Sequence, residues 1–107
     1  MIEKVSKITY IEVANYLRVD IRNDILLEEE LKTYLKVAKN YISNYTGIPE
    51  MSENADDETL DTYSDFIIVV LILCQDMYDN RSMYVESKNI NNVIQTILDM
   101  HRRVNLG

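Results

Sequence analysis

The chain has 107 residues, 47% of them apolar and 27% charged, with two glycines, one proline and a formal charge of −7 from 18 acids against 11 bases. This is the composition of one folded domain. So few chain-breakers exclude the many tight turns of a sandwich or barrel and point to a few long helices. The acidic balance argues against a protein that gains affinity by neutralising phosphates, and against binding at an anionic membrane surface.

A single cysteine, Cys74, excludes an internal disulfide and fits a reducing compartment. Residues 1–7 lack the apolar core of a secretory signal. The longest apolar run, residues 66–74, has nine residues, against the roughly twenty that a membrane span requires. The expectation is a small, acidic, soluble, intracellular protein.

The first element spans residues 9–19. Thr9 and Glu12 have capping-box spacing: the threonine hydroxyl accepts an amide of the first turn while the glutamate reaches back to the Thr9 amide. Ile11, Ala14 and either Val13 or Leu17 are expected to face inward. The second element starts near Asn23 or Asp24. Its apolar stripe is Leu27, Leu31, Tyr34, Leu35, Ala38, Tyr41, Ile42 and Tyr45, an arc of roughly 120°. Glu28 and Glu29 have the order and spacing to pair with Lys32. Gly47 supplies a left-handed terminus and Pro49 prevents continuation.

Residues 47–58 form an acidic connection about twice the usual loop length for a compact helical domain. They read either as a surface loop or as a contact loop that orders on a partner. Residues 59–80 follow as a third helix, because Leu60, Tyr63, Ile67, Val70, Cys74, Met77 and Tyr78 keep the helical period across the apolar run. Apolar residues on every side require this helix to be central, or to meet another subunit. A last amphipathic helix carries Ile90, Val93, Ile94, Ile97, Leu98 and Val104, with His101, Arg102 and Arg103 near its C-terminal end, where positive charge suits the helix dipole. The fold class is all-α, a bundle of about four helices in one domain with the second and third as its central pair.

Charge is uneven along the chain. Residues 1–46 carry seven acids and seven bases, residues 47–80 nine acids and no base, and residues 81–107 two acids and four bases. An acidic side and a mildly basic C-terminal region follow.

Little in the sequence reads as catalytic chemistry. Cys74 and His101 are the only cysteine and histidine, so a four-ligand zinc site of those types cannot be assembled. A thiol closing an apolar run is ordinarily inert packing. Two glycines leave no phosphate-binding glycine loop. Asp61 with Asp65, and Asp76 with Asp79, have the spacing of acidic pairs that hold Mg²⁺ in some helical nucleotide hydrolases. On one continuous helix, however, the two pairs stand about 15 Å apart, too far for one metal site. No catalytic, cofactor-binding or metal-binding residue is assigned. Tyr34, Tyr41 and Tyr45 read as core or interface, His101 as a partly covered surface residue, and the arginine pair as too small a footprint for nucleic acid.

Three segments carry a resemblance. Residues 9–20, Thr-Tyr-Ile-Glu-Val-Ala-Asn-Tyr-Leu-Arg-Val-Asp, precede a long helix that closes on Tyr41-Ile42-Ser43-Asn44-Tyr45-Thr46-Gly47. After a variable loop, a hydrophobic helix closes on Met77-Tyr78-Asp79-Asn80-Arg81, before a final helix with Ile94-Gln95-Thr96-Ile97-Leu98. In this order and length the chain resembles the head–tail connector (adaptor) family of tailed phages and prophages. The matched motif residues are Thr9, Glu12, Tyr16, Leu17, Asp20, Tyr45, Gly47, Tyr78, Asn80 and Arg81.

The resemblance implies a non-enzymatic virion protein at the head–tail junction, present in the host cytoplasm during assembly and needing no cofactor. It implies a homo-oligomeric ring of about twelve subunits between the portal protein and a tail-side stopper or completion protein. DNA would pass through without specific binding. Family members commonly meet the portal through the C-terminal segment, which makes His101, Arg102, Arg103 and Leu106 interface candidates. Asp56, Asp57 and Glu58 are candidates for an acidic surface that repels the duplex. Arg81 reads either as a cap that pairs with Asp20 or Glu12, or as a contact to a neighbouring subunit. The alternative to the connector is an acidic helical adaptor or inhibitor, a DNA mimic among them, that binds a basic partner.

Overall fold

The computed structural model describes residues 3–54, 56–80 and 92–102. Among these, four α-helices and two short 3₁₀ turns enclose one core and no strand occurs: α1 Tyr10–Leu17, α2 Ile25–Thr46, α3 Phe66–Asp79 and α4 Asn92–His101, with the turns at Val5–Lys7 and Leu60–Thr62. The all-α bundle is as expected, with α2 and α3 forming the central packing.

The helix ends follow their sequence signals. Thr9 accepts the Ile11 amide at 3.2 Å while Glu12 accepts the Thr9 amide at 2.7 Å, completing the capping box of α1. The helix stops at Leu17, two residues sooner than the pattern predicts, because Arg18 turns left-handed (φ 60°) and caps it. Asp24 accepts the Leu27 amide at 3.0 Å and opens α2. Gly47, at φ 80°, closes it by donating its amide to the Ser43 carbonyl at 2.9 Å. A side chain at that φ would cost about 1–2 kcal/mol, which is why glycine serves there.

Two expectations need correcting. Ile11 is exposed, and Val13 and Ala14 are the buried pair of α1. The third element is not a continuous helix from residue 59. The Thr59 amide donates to the Thr62 hydroxyl at 3.0 Å and the Thr59 hydroxyl accepts the Asp61 amide at 3.3 Å, which makes a separate 3₁₀ turn; Tyr63 is extended (φ −120°, ψ 116°), and α3 begins only at Phe66. Threonine, serine and aspartate side chains compete with the helical backbone for its hydrogen bonds, so residues 59–65 interrupt a periodicity that looked continuous.

The core is one cluster. Leu31, Leu35, Ala38 and Ile42 of α2 meet Phe66, Val69, Val70, Cys74 and Met77 of α3, with Val13 and Ala14 from α1 and Ile94 and Leu98 from α4. Val5, Ile8, Ile48 and Leu60, from the N-terminal turn and the segment between α2 and α3, belong to the same cluster. The α3 helix is not covered on every side, since Ile68 is 39% exposed. Ile90 and Val104, expected in the last helix, lie outside the described residues. No described helix is long and apolar enough to cross a membrane.

Candidate functional site

The acidic segment between α2 and α3 is anchored at both ends. Buried Thr46 donates to the Ile42 carbonyl at 2.7 Å and accepts the Ile48 amide at 3.2 Å, while Ser43 donates to the Ile48 carbonyl at 2.7 Å. The Leu60 amide reaches the Pro49 carbonyl at 3.1 Å. Between these anchors Ser52 donates to Asp57 at 2.5 Å, and the Asp56 amide donates to Asn54 at 3.0 Å. Asp56 and Asp57 are exposed. Glu58 is half-buried and accepts the Tyr63 hydroxyl, so the three consecutive acids do not form one equivalent patch.

Asp61 leaves this row as well, accepting both the amide and the hydroxyl of Ser6 at 2.8 and 2.6 Å and tying the N-terminal turn to the second 3₁₀ turn. An open groove of about 360 Å³ runs between the two turns and the loop, lined by Lys4, Ser6, Glu50, Met51, Asp57 and Asp61. It offers carboxylates and hydroxyls, the chemistry for recognising a basic or hydrogen-bonding group.

The end of α4 is held by residues far apart in sequence. His101 Nε2 lies 2.9 Å from Asp65 Oδ2, and its side chain is 14% exposed. The imidazole sits 4.0 Å from the Tyr63 ring centroid and packs edge-on to Phe66 at 4.9 Å. His101 is thus partly covered, as expected, and the rings of Tyr63 and Phe66 cover it. On the other side Tyr45 donates to Asp99 at 2.6 Å, and that carboxylate, ahead of desolvation, pushes the phenol pKa up. Arg102 is exposed, its guanidinium 5.1 Å from the Tyr45 ring centre.

Tyr16 is exposed and Leu17 half-buried. Asn80 caps α3, its side-chain amide donating to the Asp76 carbonyl at 3.0 Å and carboxylate at 3.2 Å. Tyr78 is half-buried. Asp20 pairs with Arg22 at 2.9 Å, which holds the Asp20 carboxyl below its ordinary range and raises the guanidinium. Glu12 is likewise lowered, first by the Thr9 hydroxyl and then by its amide. Both acids that Arg81 was expected to reach thus have local partners, and Arg81 itself lies outside the described residues, as do Arg103 and Leu106.

Asp61 and Asp65 fall on different elements, with Ser6 and His101 as their partners. Among the described residues no group of three or more histidine, cysteine or carboxylate ligands comes together. Cys74 is fully buried, and desolvation, only partly offset by Lys39, pushes its thiol pKa up to about 12. His101 and Asp65, Tyr45 and Asp99, and Ser6 and Asp61 are the polar joints that sequence reasoning missed. The residue types were visible, but nothing local pairs positions separated by 36, 54 and 55 residues. No known protein family, curated protein or solved structure matches the chain.

Proposed function

We propose that this chain is a structural subunit of the head–tail junction of a tailed phage or prophage, assembling as a ring of about twelve copies between the portal and a tail-side stopper. The ring extends the DNA channel, acts in the virion, and is built in the host cytoplasm. The observation that carries the reading is the order of three motif segments in an all-helical chain. These segments also occupy the joints of the bundle: Thr9 and Glu12 open α1, Tyr45 to Gly47 closes α2, and Asn80 closes α3. A channel-facing role for the acidic segment is supported by its nine acids without a base over residues 47–80, of which Asp56 and Asp57 are exposed. Like charge lets a duplex slide past where a basic wall would hold it.

The test is to mix the purified chain with isolated portal complexes of candidate phages and examine the product by native mass spectrometry and negative-stain imaging. A closed ring seated on the portal is the expected result. No binding to any portal, together with no ring at any concentration, overturns the proposal. Charge reversal at Asp56 and Asp57 should slow DNA passage without unfolding the chain, and unchanged passage counts against the channel role.

A second reading, an acidic adaptor or inhibitor for a basic partner, is favoured by the same charge segregation and by the groove beside Asp57 and Asp61. It predicts tight, salt-sensitive binding to a basic protein by a species no larger than a dimer.

A further inference from the structure

The α3 helix carries a second stripe on the side away from its core stripe. Ile68, Leu71, Ile72, Gln75 and Asp79 follow one another at steps of three, one, three and four, which gathers them into one band along the helix. Ile68, Gln75 and Asp79 are exposed, and Leu71 and Ile72 are half-buried. The α1 and α4 helices each pack against both α2 and α3, so they flank the central pair and leave this outer band of α3 open. The band is apolar from Ile68 to Ile72 and acidic at its C-terminal end, and no lysine or arginine occurs from residue 40 to residue 80. Asp79 makes no hydrogen bond or ion pair among the described residues. The Asp76 carboxylate, on the edge beside Ile72, accepts only the neutral side-chain amide of Asn80 among them. Both acids stand in the last turns of α3, where the helix dipole is already negative and the helix holds no base to offset them.

We propose that this face of α3 binds an amphipathic helix of a partner protein whose apolar stripe is bordered by lysine or arginine. Ile68, Leu71 and Ile72 offer the apolar contact at the spacing that a helix laid alongside reads. Asp76 and Asp79 fix which end of the partner lies at the C-terminus of α3, since a cation there meets two carboxylates and the negative end of the dipole together. The same charges rule out a second copy. Two α3 faces laid together bring no base to either end, because residues 40–80 hold none. The lysines of a second α2 fit no better. With Lys36 on Asp79, a parallel register sets Glu28 and Glu29 on Leu71 and Ile72, and an antiparallel one sets Ser43 and Gly47 on Ile72 and Ile68. The groove beside Asp57 and Asp61 shares no residue with this face, and the inference does not rest on the ring reading.

The probe is a synthetic helix of about 18 residues with leucines on one face and lysines along both borders. Its controls are a scrambled peptide of the same composition and one with glutamate in place of lysine. Calorimetric titration into the full chain should give a dissociation constant of about 10–100 µM for the probe, at least about tenfold weaker binding of the scrambled peptide and none of the acidic one. Ile68→Asn should weaken the probe at least about tenfold, and Asp79→Lys should weaken it about fivefold and lower its salt dependence. Circular dichroism checks that these surface variants stay folded. Amide shifts in NMR spectra should move at Ile68, Ile72, Gln75 and Asp79. No binding up to about 1 mM, equal binding of the scrambled peptide, shifts confined to Glu53, Asp56 and Asp57, or indifference to Ile68→Asn overturns the proposal. So does a dimer of the chain alone that Ile68→Asn dissolves, which would make a second copy the occupant.

Discussion

Replacing His101 with alanine tests whether the polar end of α4 holds this bundle together. The imidazole contributes three things: ring contacts to Tyr63 at 4.0 Å and Phe66 at 4.9 Å, and the 2.9 Å bond to Asp65. Aromatic pairs of this kind contribute about 0.5–1.5 kcal/mol each beyond burial. The bond adds about 0.5–1 kcal/mol, discounted because the Asp65 side chain is 38% exposed and solvent screens it.

The total expected loss is about 1.5–4 kcal/mol, a drop in Tm of roughly 6–30 °C for a chain of this size. Urea unfolding followed by far-UV circular dichroism measures it, since α4 ellipticity is lost with the rest of the bundle. A double-mutant cycle of His101→Ala with Asp65→Ala should give a coupling of about 0.5–1 kcal/mol, the pair's own share. A loss below about 0.5 kcal/mol for His101→Ala refutes the reasoning, because the enclosure of the ring would then contribute nothing to stability.

Four further outcomes follow from the geometry. Thr9→Ala should cost about 1 kcal/mol in urea unfolding by removing the N-cap of α1. Because Glu12 is held below the ordinary glutamate value of 4.5, its contribution is present in full above that value and is lost as pH falls through the lowered folded value. Glu12→Gln should therefore flatten the acid limb of the stability profile, and an unchanged limb contradicts the assignment. The Cys74 thiol, pushed up to about 12 by burial, should resist thiol reagents in the native protein at mildly alkaline pH and react fully in urea; rapid native labelling would show that α3 is not packed as described. Leu98→Ala, which empties a fully buried site where α4 meets the core, should cost about 2–5 kcal/mol by calorimetry.

Residues 25–46 show which parts of the fold are local. Asp24 caps, Leu31 to Ile42 recur at helical spacing, and Gly47 ends the helix, each from the preferences of neighbouring residues and each as the structure has it. The same local reasoning fails over 59–65, where the apolar period runs on but paired threonines and an extended Tyr63 break the helix. Periodicity records which residues face inward, and a 3₁₀ turn followed by a bend can bury Leu60 and Phe66 as well as a helix can. The extended Tyr63 packs its ring on Phe66, three residues on, and on His101, a contact that spans the chain and that no local pattern contains.

Composition and pattern by themselves determined the helical class, the ends of α1 and α2 to within two residues, the acidic loop and the burial of Cys74, because each depends on near neighbours or on average hydropathy. Only the tertiary structure decided that Ile11 faces solvent, that Asp61 and Asp65 part company, and that His101 packs against Tyr63 and Phe66. It alone also decided that Ile68 lies on an open face of α3. These outcomes depend on which surfaces the neighbouring helices cover, and burial is a property of the packed assembly of elements rather than of any one of them.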